Sequence, residues 1–389
     1  MKKALIASTV ISFIEWFEQQ NIKLLQEEFG CEVHVACNCS YMADTSVERT
    51  KEFIAKAESS GVVFHDIHFA RSPFDFGNIK AYREVKKLID SEEFDMIHCH
   101  TPLASILVRL AARKARKHGT KVVCTSHGFH FFQGSSRLNW LIFYPIEKLC
   151  SNFTDVLITI NKEDYNLACK RLKALQTEYI PGVGIDISKI QSLPDCRQEK
   201  RRELRIEDGD LLILGVGELN ANKNHEVILR ALASLKRPDV HFALAGKGPL
   251  DEYLKNLADS LGIGSQFHLL GFRCDVPYLY QAADIMVFPS YREGLPLSVM
   301  EGMAAGLPFV ASRIRGVSDL LQDGQGAFLC KPDSIDGFAD GLKDLLDSQE
   351  RRMSFGGFNR EYVQNFSLDT VMDATQSVYL NMLGASVEK

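Results

Sequence analysis

The sequence has no apolar run near the roughly 20 residues that a membrane-spanning helix needs. It has no Cys-x-x-Cys pair among its ten cysteines, and no acidic residue between Asp95 and Glu147. With no apolar span, the chain must bury its apolar surface internally, and 46% apolar with 24% charged residues is an ordinary globular composition. The scattered cysteines do not suit a disulfide framework. Several cysteines sit in strand-like runs such as KVVCTS, as buried thiols of a reducing cytoplasm would. A net charge of −5 excludes a bulk nucleic-acid binder. Met1-Lys2-Lys3 and the apolar run behind it open like a short signal peptide, but Glu15 and Glu18 follow without a small-residue cleavage site. The segment is therefore expected to be a first buried strand.

The 389 residues suit two domains of roughly 150 to 200 residues each. KALIAS, EVHVAC, VVFHDIH, DMIHCH, KVVCTS and DVLITI read as strands separated by amphipathic stretches. Their continuous hydrophobicity marks strands covered on both faces, and the strand–helix alternation implies a parallel sheet. The pattern pauses at Tyr179-Ile-Pro-Gly-Val-Gly-Ile-Asp186 and restarts with LLILGVG, VHFALAG, QFHLLG, ADIMVFPS, LPFVAS and GAFLC. The expected fold is α/β, with two Rossmann-like doubly wound domains facing a central cleft. Residues 1–184, completed by a helix within 367–389, form the first domain and 185–366 the second. Ligands of such sheets collect at switch points and domain interfaces.

The most informative segment is FPSYREGLPLSVMEGMAAGLPFVAS, Phe288 to Ser312. A strand ends in a loop with Glu293 and Gly294, Pro296 suits the first turn of a helix, and Gly306 stops that helix. Backbone N–H groups around Gly294, Leu295 and Leu297, beside Pro296, would offer an anion site. Glu301, one turn into the helix, could accept hydrogen bonds from a ribose diol, with Glu293 facing a sugar beyond the phosphates. A glycosidase acid–base pair is disfavoured by the different settings of the two glutamates. In LLILGVGELNANKNHEV, Gly217 ends a strand and Lys223 is expected at the start of the next helix, placing a point charge near phosphate. The third glycine of the dinucleotide fingerprint is missing, since Asn220 stands there, which disfavours a nicotinamide dehydrogenase. His127 follows directly on KVVCTS, at a strand end where ligands bind. His98, His100, His127 and His130 have the ligand types for zinc but not the usual spacing.

These residues resemble the retaining GT-B glycosyltransferases of glycosyltransferase family 4, over nearly the whole chain. Glu293-x7-Glu301 in its context is the sharpest likeness. VGELNANKNH, ALAGKGP, HLLGFR and TSHGFHFF look like further blocks of the family, and bacterial capsule and exopolysaccharide enzymes are the nearest type. The resemblance implies that Lys223 contacts the donor diphosphate, Glu301 the ribose and Glu293 the transferred sugar. Amides of Gly294, Leu295 and Leu297 would serve phosphate and sugar, Arg273 the base, and His127 the donor sugar. It implies a UDP-sugar donor, a hexosyl or N-acetylhexosaminyl group, a glycan or lipid-linked acceptor, and no cofactor or divalent metal. Two positions depart from the pattern. Glu218 stands where the family has an arginine, and Ser8-Thr-Val-Ile-Ser-Phe13 replaces a glycine-rich first loop. A nucleotide-sugar epimerase on the same fold, or a nucleotide-sugar-binding protein without turnover, remain as alternatives.

The acid-free stretch, residues 96–146, holds Arg109, Arg113, Lys114, Arg116, Lys117, Lys121 and Arg137. It also holds Phe129, Phe131, Phe132, Trp140, Phe143 and Tyr144. Two readings stand: a solvated basic helix beside core aromatics, or docking on the anionic inner face of the plasma membrane.

Overall fold

The structure is a computed structural model that describes residues 1–40, 46–70 and 72–384. Contacts divide the chain at 183/184 and 370/371, against the expected 184/185 and 366/367. One unit is Met1–Val183 with Val371–Lys389, and the other is Gly184–Thr370.

The first unit carries a seven-stranded sheet: β1 (Lys3–Val10), β2 (Glu32–Asn38), β3 (Val63–Asp66), β4 (Met96–Cys99), β5 (Lys121–Ser126), β6 (Val156–Thr159) and β7 (Gln176–Tyr179). Their order is β3-β2-β1-β4-β5-β6-β7, and every neighbouring pair is parallel. Strands β4 and β6 are buried at every residue, because helices cover both faces. That double covering is the physical reason for their unbroken apolar runs. The strand absent from the sequence reading is β7, whose QTEY lies half-exposed at the sheet edge and carries no apolar run. The helix Leu368–Leu383 closes this unit, with the buried Tyr379 hydroxyl 2.7 Å from Nδ1 of His98.

The second unit has six parallel strands: β8 (Leu211–Val216), β9 (Val240–Ala245), β10 (Phe267–Gly271), β11 (Ile285–Phe288), β12 (Phe309–Ser312) and β13 (Ala327–Cys330). Their order is β10-β9-β8-β11-β12-β13. Both sheets reverse their direction of winding once, between β1 and β4 and between β8 and β11. Loops leaving the carboxyl ends of those neighbours diverge and leave room for a ligand.

Three local expectations need correction. No loop follows β1: Val10 passes straight into the helical turn Ile11–Phe13 and then a π-turn, Ile14–Glu18. Lys223 is not on a helix but in a turn before Glu226–Leu235, since Asn224 takes a left-handed φ of 52° that ends any helical run there. Pro296 is the N-cap of Leu297–Ala304, one residue before its first turn, because its ψ of 120° is extended.

Close backbone contacts hold the loops of the second unit together. A Cβ on Gly246 would lie 1.8 Å from the Gly217 carbonyl oxygen. One on Gly316, itself at φ +75°, would lie 2.0 Å from the Gly294 oxygen. Gly316→Ala is expected to destabilise the second unit by about 2–4 kcal/mol through strain and collision. Gly324→Ala, at a similar φ of +77° but with open space around it, should lose only about 1 kcal/mol. Denaturation midpoints of the two variants check this, and equal losses would show that the Gly294 contact is unimportant.

Candidate functional site

In the second unit the switch point brings two sequence-predicted residues into direct contact. Lys223 Nζ lies 2.8 Å from Oε1 of Glu293, with both side chains mostly shielded. The ammonium also sits 5.3 Å from the centre of the Phe288 ring, a cation–π distance. The lysine stem runs beside Gly217, where a Cβ would come within 3.4 Å of its Cε. The two loops are stitched by backbone: Tyr291 N–H donates to the Asn222 carbonyl at 2.8 Å, and Asn222 Nδ2 donates to the Arg292 carbonyl at 3.0 Å. Asn224 Nδ2 donates to the carbonyls of Pro289 and Pro332.

Beyond Glu293 the chain runs through Gly294, Leu295 and Pro296 into the helix Leu297–Ala304. Neither a side-chain cap nor an acidic residue meets its first turn. The N–H groups of Leu297 and Ser298 have no intrahelical acceptor, and the helix dipole adds partial positive charge at that end. Four residues later Glu301 accepts a 2.8 Å hydrogen bond from the buried Tyr280 hydroxyl through Oε2. Burial pushes the Glu301 carboxyl up from the ordinary carboxylate range, while the Tyr280 hydrogen bond and the Lys189 charge pull against it. The structure therefore presents, on one sheet edge, a cation, unsatisfied amides and a carboxylate: the elements that a diphosphate and its ribose require. Arg273 sits apart from that cluster. Its guanidinium is committed to Asp275 and Glu203, both at 2.7 Å, and it holds Asp275 well below the usual carboxylate range.

In the first unit His127 follows β5, with Nε2 3.2 Å from Nδ1 of His100 at the end of β4. Burial lowers both imidazoles to about 3, so both are neutral near pH 7. The ring of Phe13 meets His127 edge-on, centroids 4.9 Å apart. His98 joins this group but spends its two nitrogens on Tyr379 and Thr125. His130 departs from it and stacks on Phe143 at 4.6 Å. Glu18, whose carboxylate lies 3.2 Å from Nε2 of His100, was not foreseen as a site residue. Its only sequence signal is a charge inside an apolar helical run.

The basic, aromatic stretch is rearranged relative to expectation. The aromatics turn inward: Phe129 and Phe131 are buried, and Trp140, Phe143 and Tyr144 pack on the same core. Arg109 is buried in a bidentate pair with Glu147, and Arg116 is paired with Asp155. What faces outward instead is a stripe of the helix Arg137–Ser151, with Leu138, Leu141, Pro145 and Leu149 exposed beside Arg137 and Lys148. Among the described residues no helix is long and apolar enough to cross a membrane.

Residues 196–362 match the family of Glycosyl transferases group 1, and residues 22–187 match Glycosyltransferase Family 4. A Bacillus subtilis (strain 168) protein named as glycosyltransferase EpsD is 36% identical over 97% of this chain and 96% of its own. An Escherichia coli UDP-Gal:alpha-D-GlcNAc-diphosphoundecaprenol alpha-1,3-galactosyltransferase is 28% identical over 79% of this chain and 80% of its own. Among solved structures, Anabaena Alr3699/HepE in complex with UDP-glucose is similar in fold. It has a TM-score of 0.76 and 18% identity, covering 98% of this chain and all of the other.

Lys223→Ala should weaken binding of a nucleoside diphosphate by more than tenfold, since Glu218 supplies no second cation at its side. Glu301→Ala should weaken it by about tenfold. Calorimetric titration with UDP reads both, and unchanged affinity in either variant would remove that residue from the nucleotide site.

Proposed function

The chain belongs to the glycosyltransferases of family 4, and we propose that it moves a hexosyl or N-acetylhexosaminyl group from a UDP-sugar to a lipid-linked saccharide, with retention of configuration, in bacterial surface polysaccharide synthesis. The observation that carries this reading is the pairing of Lys223 with Glu293 beside the open helix end at Leu297. The UDP-glucose complex of the Anabaena protein supports the donor class, and the diphosphoundecaprenol substrate of the E. coli relative supports the acceptor class. In this reading Glu301 takes the ribose hydroxyls, and Lys223 with the amides of Gly294, Leu295 and Leu297 takes the diphosphate without a divalent metal. The backbone around Arg273 lines the base. Glu293, released from Lys223 by the phosphates, turns to the sugar, and neutral His127 hydrogen-bonds a sugar hydroxyl.

The chemistry then asks little covalent work of the protein. As the bond from the anomeric carbon to the diphosphate oxygen breaks, the acceptor oxygen bonds to that carbon on the same face. Its proton passes to the departing phosphate oxygen. The protein contributes charge stabilisation of the leaving group and orientation of the two reactants. The first unit, completed by the helix Leu368–Leu383, binds the acceptor.

A lipid-linked acceptor calls for access to a bilayer. The leucine stripe of Arg137–Ser151, flanked by Arg137 and Lys148, has the apolar face and basic borders of an interfacial helix. It would lie on the cytoplasmic leaflet, where anionic lipids attract basic side chains.

Two experiments test the proposal. Incubation with a panel of UDP-hexoses and UDP-N-acetylhexosamines, a prenyl-diphosphate saccharide acceptor and excess chelator should yield an α-linked product from one donor. Epimerised nucleotide sugar formed without acceptor would establish the rival reaction instead. In co-sedimentation, anionic vesicles should retain the protein at 0.1 M salt and release it at 1 M, as the Debye length shrinks from about 10 to about 3 Å. Leu138→Ser with Leu141→Ser should abolish retention. Failure of anionic vesicles to retain the protein would refute the membrane role, and equal binding to neutral vesicles would refute its electrostatic part.

A further inference from the structure

The first helical segment does something that a glycine-rich loop could not. Phe13 and Glu18 are five residues apart, a spacing that an α-helix of about 3.6 residues per turn directs to different faces. The wider π-turn Ile14–Glu18 brings i and i+5 near one face. Both side chains consequently reach the same imidazole: Phe13 packs on His100 as well as His127, and Glu18 faces His100. Glu18 is almost wholly buried, and its carboxylate accepts a 2.8 Å hydrogen bond from Asn21 Nδ2 through Oε2, the oxygen turned to His100. The buried Glu18–His100 contact is an ion-pair distance of 3.2 Å rather than an aligned hydrogen bond. Its electrostatics still favour a proton on His100 Nε2, since a carboxylate oxygen attracts an N–H and repels a lone pair.

We infer that Glu18 and His100 are positioning residues that order the protons of His127, leaving its Nδ1 as an unprotonated acceptor for a donor-sugar hydroxyl. The inference rests on the role proposed above for His127. With its proton on Nε2, His100 turns a lone pair from Nδ1 to His127, 3.2 Å away, so His127 must carry its own proton on Nε2. Nδ1 of His127 then stays bare, and it meets no hydrogen-bond partner among the described residues. The part-exposed ring borders a cavity of about 170 Å³ at the ends of β4 and β5, which Thr101, Ser105 and Ser126 also line. The third imidazole, His98, packs against His100 with centroids 4.1 Å apart. It does not set the order, because its partners Tyr379 and Thr125 are hydroxyls that can donate or accept. Burial raises the Glu18 carboxyl, while the His98 ring and the Asn21 hydrogen bond favour its ionised form.

The test uses the full chain labelled with ¹⁵N-histidine, in which long-range proton–nitrogen correlations identify each tautomer and His127→Ala assigns its signals. Wild type should show His127 protonated on Nε2. Glu18→Met and His100→Phe should convert His127 to a mixture or to the Nδ1–H form. They should also lower transfer turnover at least tenfold, with the donor KM within about twofold. Glu18→Gln, which can keep an oxygen toward Asn21 and His100, should retain the tautomer and most of the turnover, and it carries the test together with His100→Phe if Glu18→Met does not fold. A wild-type His127 protonated on Nδ1, or an unchanged tautomer in both disrupting variants, overturns the inference. If the tautomers behave as described but His127→Ala transfers at the wild-type rate, the proton order stands and the donor-sugar role of His127 falls.

Discussion

The site proposed for the donor is built around an ion pair that a diphosphate would have to open. Lys223 and Glu293 meet at 2.8 Å across two loops, and the neighbouring structure serves to bring them there. Asn222 and Asn224 tie the loops backbone to side chain, Phe288 sits below the ammonium, and glycines at 217, 246 and 316 let the chains approach closely. A partly shielded pair of this kind adds little to stability. In the proposed reading, its value is that Lys223 is neutralised and held in place until a diphosphate replaces the carboxylate. The same exchange would free Glu293 for the sugar, so that phosphate binding and sugar orientation would become one event.

The two units use one topological device for opposite purposes. At the β8–β11 reversal, the second unit gathers a cation, free amides and a carboxylate, a set suited to a highly charged ligand. At the β1–β4 reversal, the first unit gathers neutral imidazoles and one buried carboxylate. Burial lowers His100 and His127 far enough that neither carries charge near neutral pH. A neutral hydrogen-bonding ring suits a sugar hydroxyl, whereas an imidazolium would compete for the leaving phosphate. The helix Leu368–Leu383 contributes Tyr379 to this core.

Much of this was legible in the residues because it depends on local rules. Apolar or β-branched runs mark twelve of the thirteen strands, and the thirteenth, the edge strand β7 with its QTEY, carries none. Lys223 and Glu293 could be named, but not their contact, since 70 residues separate them. Glu18 was hidden for a sharper reason: its partner follows β4, the neighbour of β1 but distant in sequence, and only a π-turn, which no sequence periodicity announces, directs it there. The aromatics of residues 96–146 illustrate the converse. Their composition suggested a membrane-facing belt, yet bulky rings fill the core, and the leucines between them are what the surface exposes.

The exchange of Glu293 for diphosphate on Lys223 is tested most directly by the UDP affinity of Glu293→Gln, measured by calorimetry beside its transfer rate. If the carboxylate competes with phosphate for Lys223 and acts on the sugar alone, the variant binds UDP as tightly as wild type or more tightly, while transfer falls by about a hundredfold or more, roughly the loss expected when an orienting contact is removed. UDP affinity that falls in step with transfer would contradict the account, because Glu293 would then be part of the nucleotide site itself.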